Sequence, residues 1–206
     1  MNGLIDDGAV TRCWWCGDHD DYRNYHDTEW GFPVDDDVRL FEKMSLEGFQ
    51  SGLSWLTILR KRDNFRQAFC GFDWREIAKF DEDRVEELLQ DAGIVRHRGK
   101  IEAVVHNARL MDDLVRERGS FAKFVWEFEP GPGLRPERVD YDTLVTLAQT
   151  PESNALARAL KKRGFRFFGP TTAYAFMQSM GLVNNHLEGC SAHATVEDAR
   201  RGFNRP

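Results

Sequence analysis

Apolar residues recur at intervals of three to four positions along most of this chain, and that spacing predicts amphipathic α-helices. One such helix begins at the N-cap residue Asp36 and carries Leu40, Phe41, Met44 and Leu46 on one side. Other predicted helices start at Ser54, Asp73, Asp81 and Ser120, or span Arg98–Val115, Pro151–Leu160 and Thr171–Met180. No segment alternates convincingly between apolar and polar residues. The sequence therefore predicts an all-α fold.

The breaks between these segments are short. Glu129-Pro-Gly-Pro-Gly133 ends the helix that starts at Ser120 and opens an irregular loop at 129–136, the largest change in composition. That loop is short for a domain boundary, and no internal repeat is visible. A chain of 206 residues has enough material for one substantial core. We therefore expect a single domain over residues 1–206, with a cleft between a helical body and a lobe that holds both termini.

The sequence contains no recognisable N-terminal export signal and no membrane-spanning segment. No apolar run follows basic residues at the N-terminus, and no apolar stretch approaches the length that spans a bilayer. The four cysteines, Cys13, Cys16, Cys70 and Cys190, are too few for a disulfide framework in a chain of this size. These features predict a soluble cytoplasmic protein with reduced thiols and no membrane partner.

The distribution of charge bears on nucleic-acid binding. The formal net charge is −6, which argues mildly against a polyanionic partner. Basic residues nevertheless gather in three clusters: Arg60–Arg62 with Arg66, Arg96–Arg98 with Lys100, and Lys161–Arg163 with Arg166. If the fold turns these clusters to one face, they can follow a phosphate backbone. The alternative is that each cluster is the solvated face of a helix.

Two Cys/His pairs near the ends of the chain form the first candidate site. His186-Leu-Glu-Gly-Cys190 places an imidazole and a thiol four residues apart, so on a helix both would project from one face. Cys13 and His26 supply a second pair. Two Cys and two His match the tetrahedral shell that Zn²⁺ prefers, and four protein ligands leave no position for a catalytic water. The set predicts a structural zinc site that joins the termini; ordinary histidines and buried free cysteines are the alternative.

The segment that begins at Lys161 and Lys162 predicts a phosphate-binding hairpin. Gly164 suits the end of one helix, and Gly169-Pro170 suits the start of another at Thr171. Free backbone amides at the start of the second helix attract phosphate, and the two lysines add charge. This is the logic of a helix-hairpin-helix element, which grips the DNA backbone without reading bases. A plain helical hairpin is the alternative.

Aromatic residues crowd the first thirty positions, where no amphipathic helix is predicted to bury them. They are Trp14, Trp15, Tyr22, Tyr25 and Trp30, and Trp55 lies further along the chain, eight residues after Glu47. Flat rings beside a carboxylate suit a base held outside the duplex stack, with cation–π attraction when the base is positively charged. The alternative is that the rings fill a small core beneath the zinc site.

Six blocks of sequence carry a resemblance to a known family. They are Arg12-Cys13-x-Trp15, Tyr25-His-Asp-x-Glu-Trp-Gly31, Leu46-Glu-Gly-x-Gln-x-Gly-Leu-Ser-Trp55, Asp91-Ala-Gly-Ile-Val-Arg-His-Arg-Gly-Lys-Ile101, Leu160-Lys-Lys-Arg-Gly-Phe-x-Phe167 and Phe176-Met-Gln-x-x-Gly-Leu-Val-Asn184. In these blocks the chain resembles the constitutive 3-methyladenine DNA glycosylase I family of the helix-hairpin-helix glycosylase superfamily. The resemblance covers residues 11–190; residues 1–10 and 191–206 lie outside it, and we expect them to be peripheral.

The resemblance implies roles for the candidate residues. Zinc would be held by Cys13, His26, His186 and Cys190. The base pocket would be formed by Trp15, Tyr25, Trp30 and Trp55, with Tyr22 nearby. Glu47 would contact the nitrogen edge of the adenine, and Leu53 would fill the gap left by the extruded nucleotide. The residues that would contact the DNA backbone are Lys161, Lys162, Gly164, Gly169 and Thr171.

The resemblance also implies the reaction, which is hydrolytic excision of 3-methyladenine from double-stranded DNA by a monomeric repair enzyme. Methylation at N3 gives adenine a positive charge that already weakens the glycosidic bond, so Glu47 would act either as a general base or in recognition. Many relatives in the superfamily carry a hairpin lysine that forms a Schiff base, and a later aspartate. The corresponding positions here are Thr171 and Glu188-Gly189, so we expect no strand cleavage.

Two other functions remain open at this point. A zinc-stapled helical module could bind DNA without catalysis, although the rings around Glu47 argue against it. A metallohydrolase would need a displaceable fourth ligand and a nearby base, and a shell of two Cys and two His argues against that arrangement.

Overall fold

Helices dominate the computed structural model, which describes residues 2–131, 133–134 and 138–206. In chain order its elements are β1 (Leu4–Asp6), β2 (Thr11–Cys13), α1 (Asp20–Thr28), α2 (Asp37–Gln50), α3 (Trp55–Ala68), α4 (Trp74–Ile77), α5 (Glu82–Gln90), α6 (Arg98–Arg118), α7 (Phe121–Trp126), α8 (Tyr141–Thr146), α9 (Pro151–Lys162), α10 (Pro170–Ser179) and α11 (Ser191–Gly202). The prediction of a mostly helical protein is confirmed. None of the described helices combines the length and hydropathy needed to cross a bilayer.

One small sheet departs from the all-α prediction. Strands β1 and β2 pair antiparallel, with Leu4 opposite Cys13 and Asp6 opposite Thr11. Strands of three residues are too short to reveal an alternating pattern in the sequence. The sheet fixes the position of Cys13 at the end of β2, and the Trp14 amide donates to the carbonyl of Gly3 at 2.8 Å. Residues 2–10 therefore support Cys13 rather than lying at the periphery.

Side-chain caps begin the predicted helices. The carboxylate of Asp36 accepts a hydrogen bond from the Arg39 amide at 2.8 Å, as an N-cap residue should. Caps of the same kind are formed by Ser54, Asp73, Asp81 and Ser120. At Asp73 the donor is the Arg75 amide at 3.0 Å. Each cap satisfies a free amide and contributes about 1 kcal/mol.

Helix α2 forms the centre of the core. It packs against α3, α6, α7 and α10 and buries the apolar residues Leu40, Phe41, Met44, Leu46 and Phe49. A helix enclosed on several sides is expected to be apolar throughout. Helix α2 instead buries three charged residues: Glu42 pairs with Arg66 of α3, and the other two, Lys43 and Glu47, are 6% and 5% exposed. Because buried charge is costly unless it is paired, these two residues mark a site rather than ordinary packing.

Helices α9 and α10 pack together as a helical hairpin. The Gly164 amide donates to the Lys161 carbonyl and the Phe165 amide to the Leu160 carbonyl, at 3.0 and 3.1 Å. These two bonds, with Gly164 at φ +94°, make a Schellman ending. Pro170 starts α10 as expected, and the N-cap residue Gly169 has no side chain to satisfy the first amides of that helix.

The segment His186–Gly189 is not a helix, so that part of the prediction is wrong. The chain turns at Gly189, where φ is +90°, and Cys190 is the N-cap residue of α11. The turn, rather than a shared helix face, brings the imidazole of His186 and the thiol of Cys190 together at 3.5 Å. Glycine permits this left-handed conformation, and its position one residue before Cys190 was the available signal.

Helices α1, α8 and α11 lie where the sequence analysis predicts no helix. Helix α1 buries only Tyr25 and His26, and α11 is anchored by Arg200, which is 2% exposed and donates to Glu129 at 2.8 Å. The C-terminal segment is therefore packed against the body rather than peripheral. Part of the predicted irregular loop at 129–136 lies outside the described residues.

Candidate active site and metal centre

Cys13, His26, His186 and Cys190 converge in one buried cluster, as the sequence predicts. Their potential ligand atoms all lie within 4.8 Å of one another. The Sγ of Cys190 is 3.5 Å from both His26 Nε2 and His186 Nδ1, and the Sγ of Cys13 is 3.9 Å from His186 Nδ1. A tetrahedral zinc ion with ordinary bond lengths separates its sulfur and nitrogen ligands by about 3.6 Å. The cluster could therefore hold a metal ion of that size.

Hydrogen bonds at the outer nitrogens turn both imidazoles toward the centre of the cluster. The Nδ1 of His26 is 2.7 Å from a carboxylate oxygen of Asp27, and the Nε2 of His186 is 2.9 Å from the Trp30 carbonyl. Each acceptor favours a proton on the outer nitrogen and leaves a lone pair on the inner one. Arg12 in turn holds Asp27 through hydrogen bonds of 3.0 and 2.9 Å. Metal-bound histidines are usually oriented in this way.

The thiols of the cluster differ in pKa. Hydrogen bonding to Cys13, and then to His186 and His26, lowers the pKa of Cys190. The contact with Cys190 and burial raise the pKa of Cys13. Cysteine sulfur together with histidine nitrogen is the kind of donor set that zinc binds. Cys16 is also buried, but its thiol donates to the Cys13 carbonyl at 3.1 Å and lies outside the cluster.

The predicted rings and the predicted carboxylate line one cavity of about 300 Å³. Its walls include Trp15, Tyr22, Tyr25, Trp30, Trp55 and Glu47. The lining also includes Trp14, the apolar residues Leu144, Leu147 and Ala175, and three polar residues that the sequence analysis missed, Gln50, Gln178 and Asn185. Cavities that bind small molecules begin at about this size and combine apolar walls with a few polar groups.

The ring cavity adjoins the Cys/His cluster. The centroid of the Trp15 ring lies 4.8 Å from that of Trp30 and 5.1 Å from that of His26, and Trp30 in turn lies 4.8 Å from His186. The rings therefore do both things that the sequence allowed, since they pack above the cluster and also line a cavity. The indole Nε1 of Trp55 is buried with no hydrogen-bond partner among the described residues.

Glu47 is engaged from behind the cavity by Lys43, a residue that sequence reasoning missed. The Nζ of Lys43 lies 2.9 Å from the Oε1 of Glu47 and donates to the hydroxyl of Tyr25 at 2.8 Å. The same ammonium lies 3.1 Å from the centroid of the Trp55 ring. Burial lowers the pKa of Lys43 to about 8, although Glu47 opposes the shift. The available signal was a lysine four residues before Glu47 in an otherwise apolar run.

Leu53 and Thr171 lie at a second opening beside Glu47. A cleft of about 200 Å³ is lined by Glu47, Leu53 and Thr171 together with Gln50, Ser51, Gly52, Thr172 and Ala175. Leu53 is 43% exposed at this opening. The turn between α2 and α3 and the first turn of α10 therefore face one another across the entrance to Glu47.

The three basic clusters differ in how far they are neutralised. Arg62 pairs with Glu29 at 2.6 Å, Arg66 with Glu42 at 2.8 Å, and Arg98 with Glu82 at 2.6 Å. Lys161 and Lys162 at the end of α9 are exposed and form no ion pair among the described residues. The hairpin thus retains exposed positive charge at Lys161 and Lys162, although the neighbouring Arg163 pairs with Glu117 at 2.5 Å. In the second cluster Lys100 instead donates to the backbone carbonyl of Phe49 at 2.9 Å.

Comparison with known proteins assigns the chain to a class of enzymes. The sequence profile of the methyladenine glycosylase family matches residues 15–193, which include the ring cavity and most of the Cys/His cluster. The chain therefore belongs to the methyladenine glycosylase family.

Individual relatives agree over nearly their whole lengths. DNA-3-methyladenine glycosylase 1 of Escherichia coli (strain K12) is 46% identical over 185 residues, which cover 89% of this chain and 97% of that protein. A crystal structure of 3-methyladenine DNA glycosylase I matches with a TM-score of 0.83 at 49% identity, over 88% of this chain and 99% of that one. A variant of 3-methyladenine DNA glycosylase I in complex with 3-methyladenine has a TM-score of 0.80 at 32% identity, over 85% and 94%.

Proposed function

We propose that this protein removes 3-methyladenine from alkylated DNA by hydrolysing the N-glycosidic bond. The observation that carries the proposal is the carboxylate of Glu47 in a cavity that six aromatic side chains also line. A methylated purine in DNA is flat and cationic, so rings can stack on it and a carboxylate can balance its charge. Membership of the methyladenine glycosylase family, and the complex of a relative with 3-methyladenine, support the same substrate.

The methylated nucleotide must leave the duplex, because a stacked base cannot reach a carboxylate that is 5% exposed. In this proposal the base enters through the cleft beside Leu53, and the exposed leucine fills the gap left in the stack. The backbone amides of Gly169 and Thr171 at the start of α10 hold a phosphate beside that gap, because a helix N-terminus favours negative charge. Lys161, Lys162 and the turn at Gly164 add sequence-independent contacts with the backbone.

Once the base is bound, cleavage of the glycosidic bond needs little catalytic assistance from the protein. Methylation places positive charge on the adenine, so the base departs as a neutral leaving group and needs no protonation. Trp15, Tyr25, Trp30 and Trp55 stack on the base with Tyr22 beside them, and Glu47 accepts hydrogen bonds from its amino edge. Water then attacks C1′ of the oxocarbenium-like sugar and loses a proton to the solvent. The cavity walls hold the departed base away from the sugar.

Strand cleavage is not part of the proposed reaction. A Schiff base at the sugar requires an amine nucleophile, and Thr171 stands where a catalytic lysine would act in the hairpin. Among the described residues no lysine lines the ring cavity, and Lys43 lies behind Glu47 rather than in the opening. These observations support a monofunctional hydrolase.

We further propose that the Cys/His cluster binds one structural zinc ion per chain. The donor set, its separations and the oriented imidazoles fit that ion. Zinc bound there would supply a cross-link between the N-terminal and C-terminal segments and no reactive water, because Cys13, His26, His186 and Cys190 fill a four-ligand shell. Trp30 connects the two sites, since its carbonyl orients His186 while its ring lines the cavity.

One chain contains every residue that the proposal uses, so we propose a monomer that acts on double-stranded DNA as a single domain over residues 1–206. The partner is the lesion-bearing duplex, and base flipping provides the selectivity for a weakened base.

Chromatography of the bases released from methylated duplex DNA tests the proposed function. The expected product is free 3-methyladenine, with intact strands that break only after alkaline treatment. A protein that binds the DNA but releases no base would be a non-catalytic binding module instead. Spontaneous strand breaks in step with base release would contradict the monofunctional reaction.

A further inference from the structure

The ammonium of Lys43 occupies the interactions that a cationic base would use. Its Nζ lies 2.9 Å from the Oε1 of Glu47 and 3.1 Å from the centroid of the Trp55 ring. Glu47 and Trp55 line the cavity, whereas Lys43 lies behind them. A purine cation stacked on Trp55 and bonded to Glu47 would share both partners with a second positive charge. Like charges this close in a buried site disfavour one another strongly.

Apart from Arg39, the other charged groups around Lys43 are already in ion pairs. On the side of α1, Tyr25 accepts a hydrogen bond from Lys43 and Glu29 pairs with Arg62 of α3 at 2.6 Å. Glu42 of α2 pairs with Arg66 of α3 at 2.8 Å, and Arg39 of α2 lines the same small space behind the cavity. Among the described residues, Glu47 is thus the one carboxylate within ion-pair distance of Lys43.

Among the positively charged groups of this site, the ammonium of Lys43 loses its proton most easily. Burial lowers the pKa of Lys43 to about 8; Glu47 and Glu29 oppose the shift, and Arg62 adds to it. A positive charge arriving in the cavity lowers this pKa further. The cationic base and the ammonium of Lys43 therefore compete for the carboxylate of Glu47. Deprotonation of Lys43 removes its charge and leaves the carboxylate to the base.

We propose that Lys43 is a specificity-determining residue that selects positively charged bases. While no base is bound, its ammonium pairs with Glu47 and lies over the ring of Trp55. When a cationic base binds, Lys43 loses a proton and the base takes over the ionic contact with Glu47. In this step one Nζ–H bond breaks, the electron pair stays on the nitrogen, and the proton passes to water. Glu47 is then free to balance the charge of the base.

This exchange selects for charge rather than shape. A neutral adenine carries no positive charge that could replace the ammonium. Lys43 therefore stays paired with Glu47, and the neutral base gains no ionic contact. After bond cleavage the base is neutral, and Lys43 can take up a proton and recover Glu47, which favours release of the product. The inference rests on the proposed function, since it concerns the charge of the base in the same cavity.

Calorimetric binding of two small probes tests the exchange in the intact protein. The first probe is 3,9-dimethyladeninium, a permanent cation in which a methyl group replaces the sugar, and the second is neutral 3-methyladenine. Titrations run from pH 7 to 9.5 in buffers of different ionisation enthalpy, which count the protons released. For the cation we expect about one proton released at pH 7 and an affinity that rises up to about tenfold per pH unit until pH 8, then levels off. Neutral 3-methyladenine should release none.

Two variants provide matched controls for the titration. Lys43→Met removes the competing charge, so it should bind the cation about tenfold more tightly than wild type at pH 7, the factor set by one pH unit below a pKa near 8. Lys43→Arg keeps a guanidinium that does not deprotonate in this range, so it should bind the cation weakly at every pH. Retained binding of neutral 3-methyladenine verifies that each cavity is intact.

No proton release by the wild-type protein on binding the cation would overturn the proposal, and so would an unchanged pH slope in both variants. The wild-type measurement needs no substitution, so it decides even if a variant does not fold. Excision of 3-methyladenine from methylated DNA is measured alongside. Normal excision without proton release would refute only the charge exchange, whereas a wild-type protein that excises nothing would refute the proposed function.

Discussion

Asp27 and His26 share a hydrogen bond of 2.7 Å that turns the other ring nitrogen of His26 toward the thiol of Cys190. His26 follows Tyr25 on α1, so adjacent residues of one helix serve the Cys/His cluster and the ring cavity. Trp30 makes a second connection, because its carbonyl bonds His186 while its ring lines the cavity. A metal ion in the cluster would therefore stabilise the cavity wall without entering the cavity.

Replacing one cluster cysteine should separate stability from chemistry. Cys190→Ala removes a ligand, so we expect loss of bound zinc and a free energy of unfolding lower by several kcal/mol, since metal binding at structural sites is coupled to folding. The excision rate per folded molecule should stay near the wild-type value. Metal analysis, chemical denaturation and single-turnover excision measure the three quantities.

Cys70→Ala is the matched control for that experiment, because Cys70 is an exposed thiol outside the cluster. It should leave zinc content and stability unchanged. The structural assignment fails if wild-type protein purified without chelators contains no zinc, or if Cys190→Ala abolishes excision while the protein stays folded.

Glu47→Gln should weaken excision without abolishing it. The substitution keeps the shape of the side chain and removes the negative charge that complements the base. We expect a cost of about 1–3 kcal/mol, the range for a charge-assisted hydrogen bond, which corresponds to a loss of roughly tenfold to a hundredfold. Free 3-methyladenine should bind more weakly in parallel. Single-turnover excision at saturating enzyme provides the rate.

Glu42→Gln controls for the loss of a carboxylate from the same helix, since Glu42 pairs with Arg66 and does not line the ring cavity. It should leave excision nearly unchanged. A collapse of the rate in Glu47→Gln with unaltered affinity for 3-methyladenine would identify Glu47 as a general base and refute the recognition role.

Removing the free charge of the hairpin should weaken DNA binding without changing lesion preference. In Lys161→Gln with Lys162→Gln, affinity should fall about equally for all sequences, and the slope of log K against log salt should flatten by about 1–2. Lys79→Gln is the control, because Lys79 lies outside the hairpin and already pairs with Glu76 at 2.6 Å. A changed lesion preference with an unchanged salt slope would show that the hairpin does not bind backbone phosphates.

Shortening Leu53 should impair extrusion of the nucleotide. Leu53→Ala removes the exposed apolar side chain beside the cleft, so excision from duplex DNA should slow by about tenfold, since unstacking costs a few kcal/mol. Binding of free 3-methyladenine should not change. Leu134→Ala replaces another exposed leucine, outside this cleft, and should behave as wild type. Equal losses for the free base and for DNA would place Leu53 in the cavity wall instead.

Helices with clear apolar spacing and an N-cap residue could be predicted from the sequence. Helix α2 is the clearest case, since Asp36 begins it and its apolar residues are buried. Helices α1, α8 and α11 could not, because they bury few apolar residues and are held instead by contacts distant in sequence. The bond between Arg200 and Glu129 is one such contact, and no local pattern reports it.

The candidate site divides in the same way. Residue types and family resemblance were enough to bring Cys13, His26, His186 and Cys190 into one proposed cluster and the rings around Glu47. The sequence did not show which backbone conformation brings these residues together. His186 and Cys190 meet through a turn at Gly189, not on one face of a helix. Lys43 was missed because a single lysine in an apolar run resembles a solvated edge position until the fold encloses it.

A crystal structure of the protein with 3-methyladenine tests the central claim most directly. The account predicts the base inside the cavity, stacked against the rings of Trp30 and Trp55 with its amino edge against the carboxylate of Glu47. It also predicts that the cavity of Glu47→Gln takes up the base in the same pose with lower occupancy at equal concentration. A base bound elsewhere, or a cavity that stays empty at saturating 3-methyladenine, would contradict the assignment of this cavity as the recognition site.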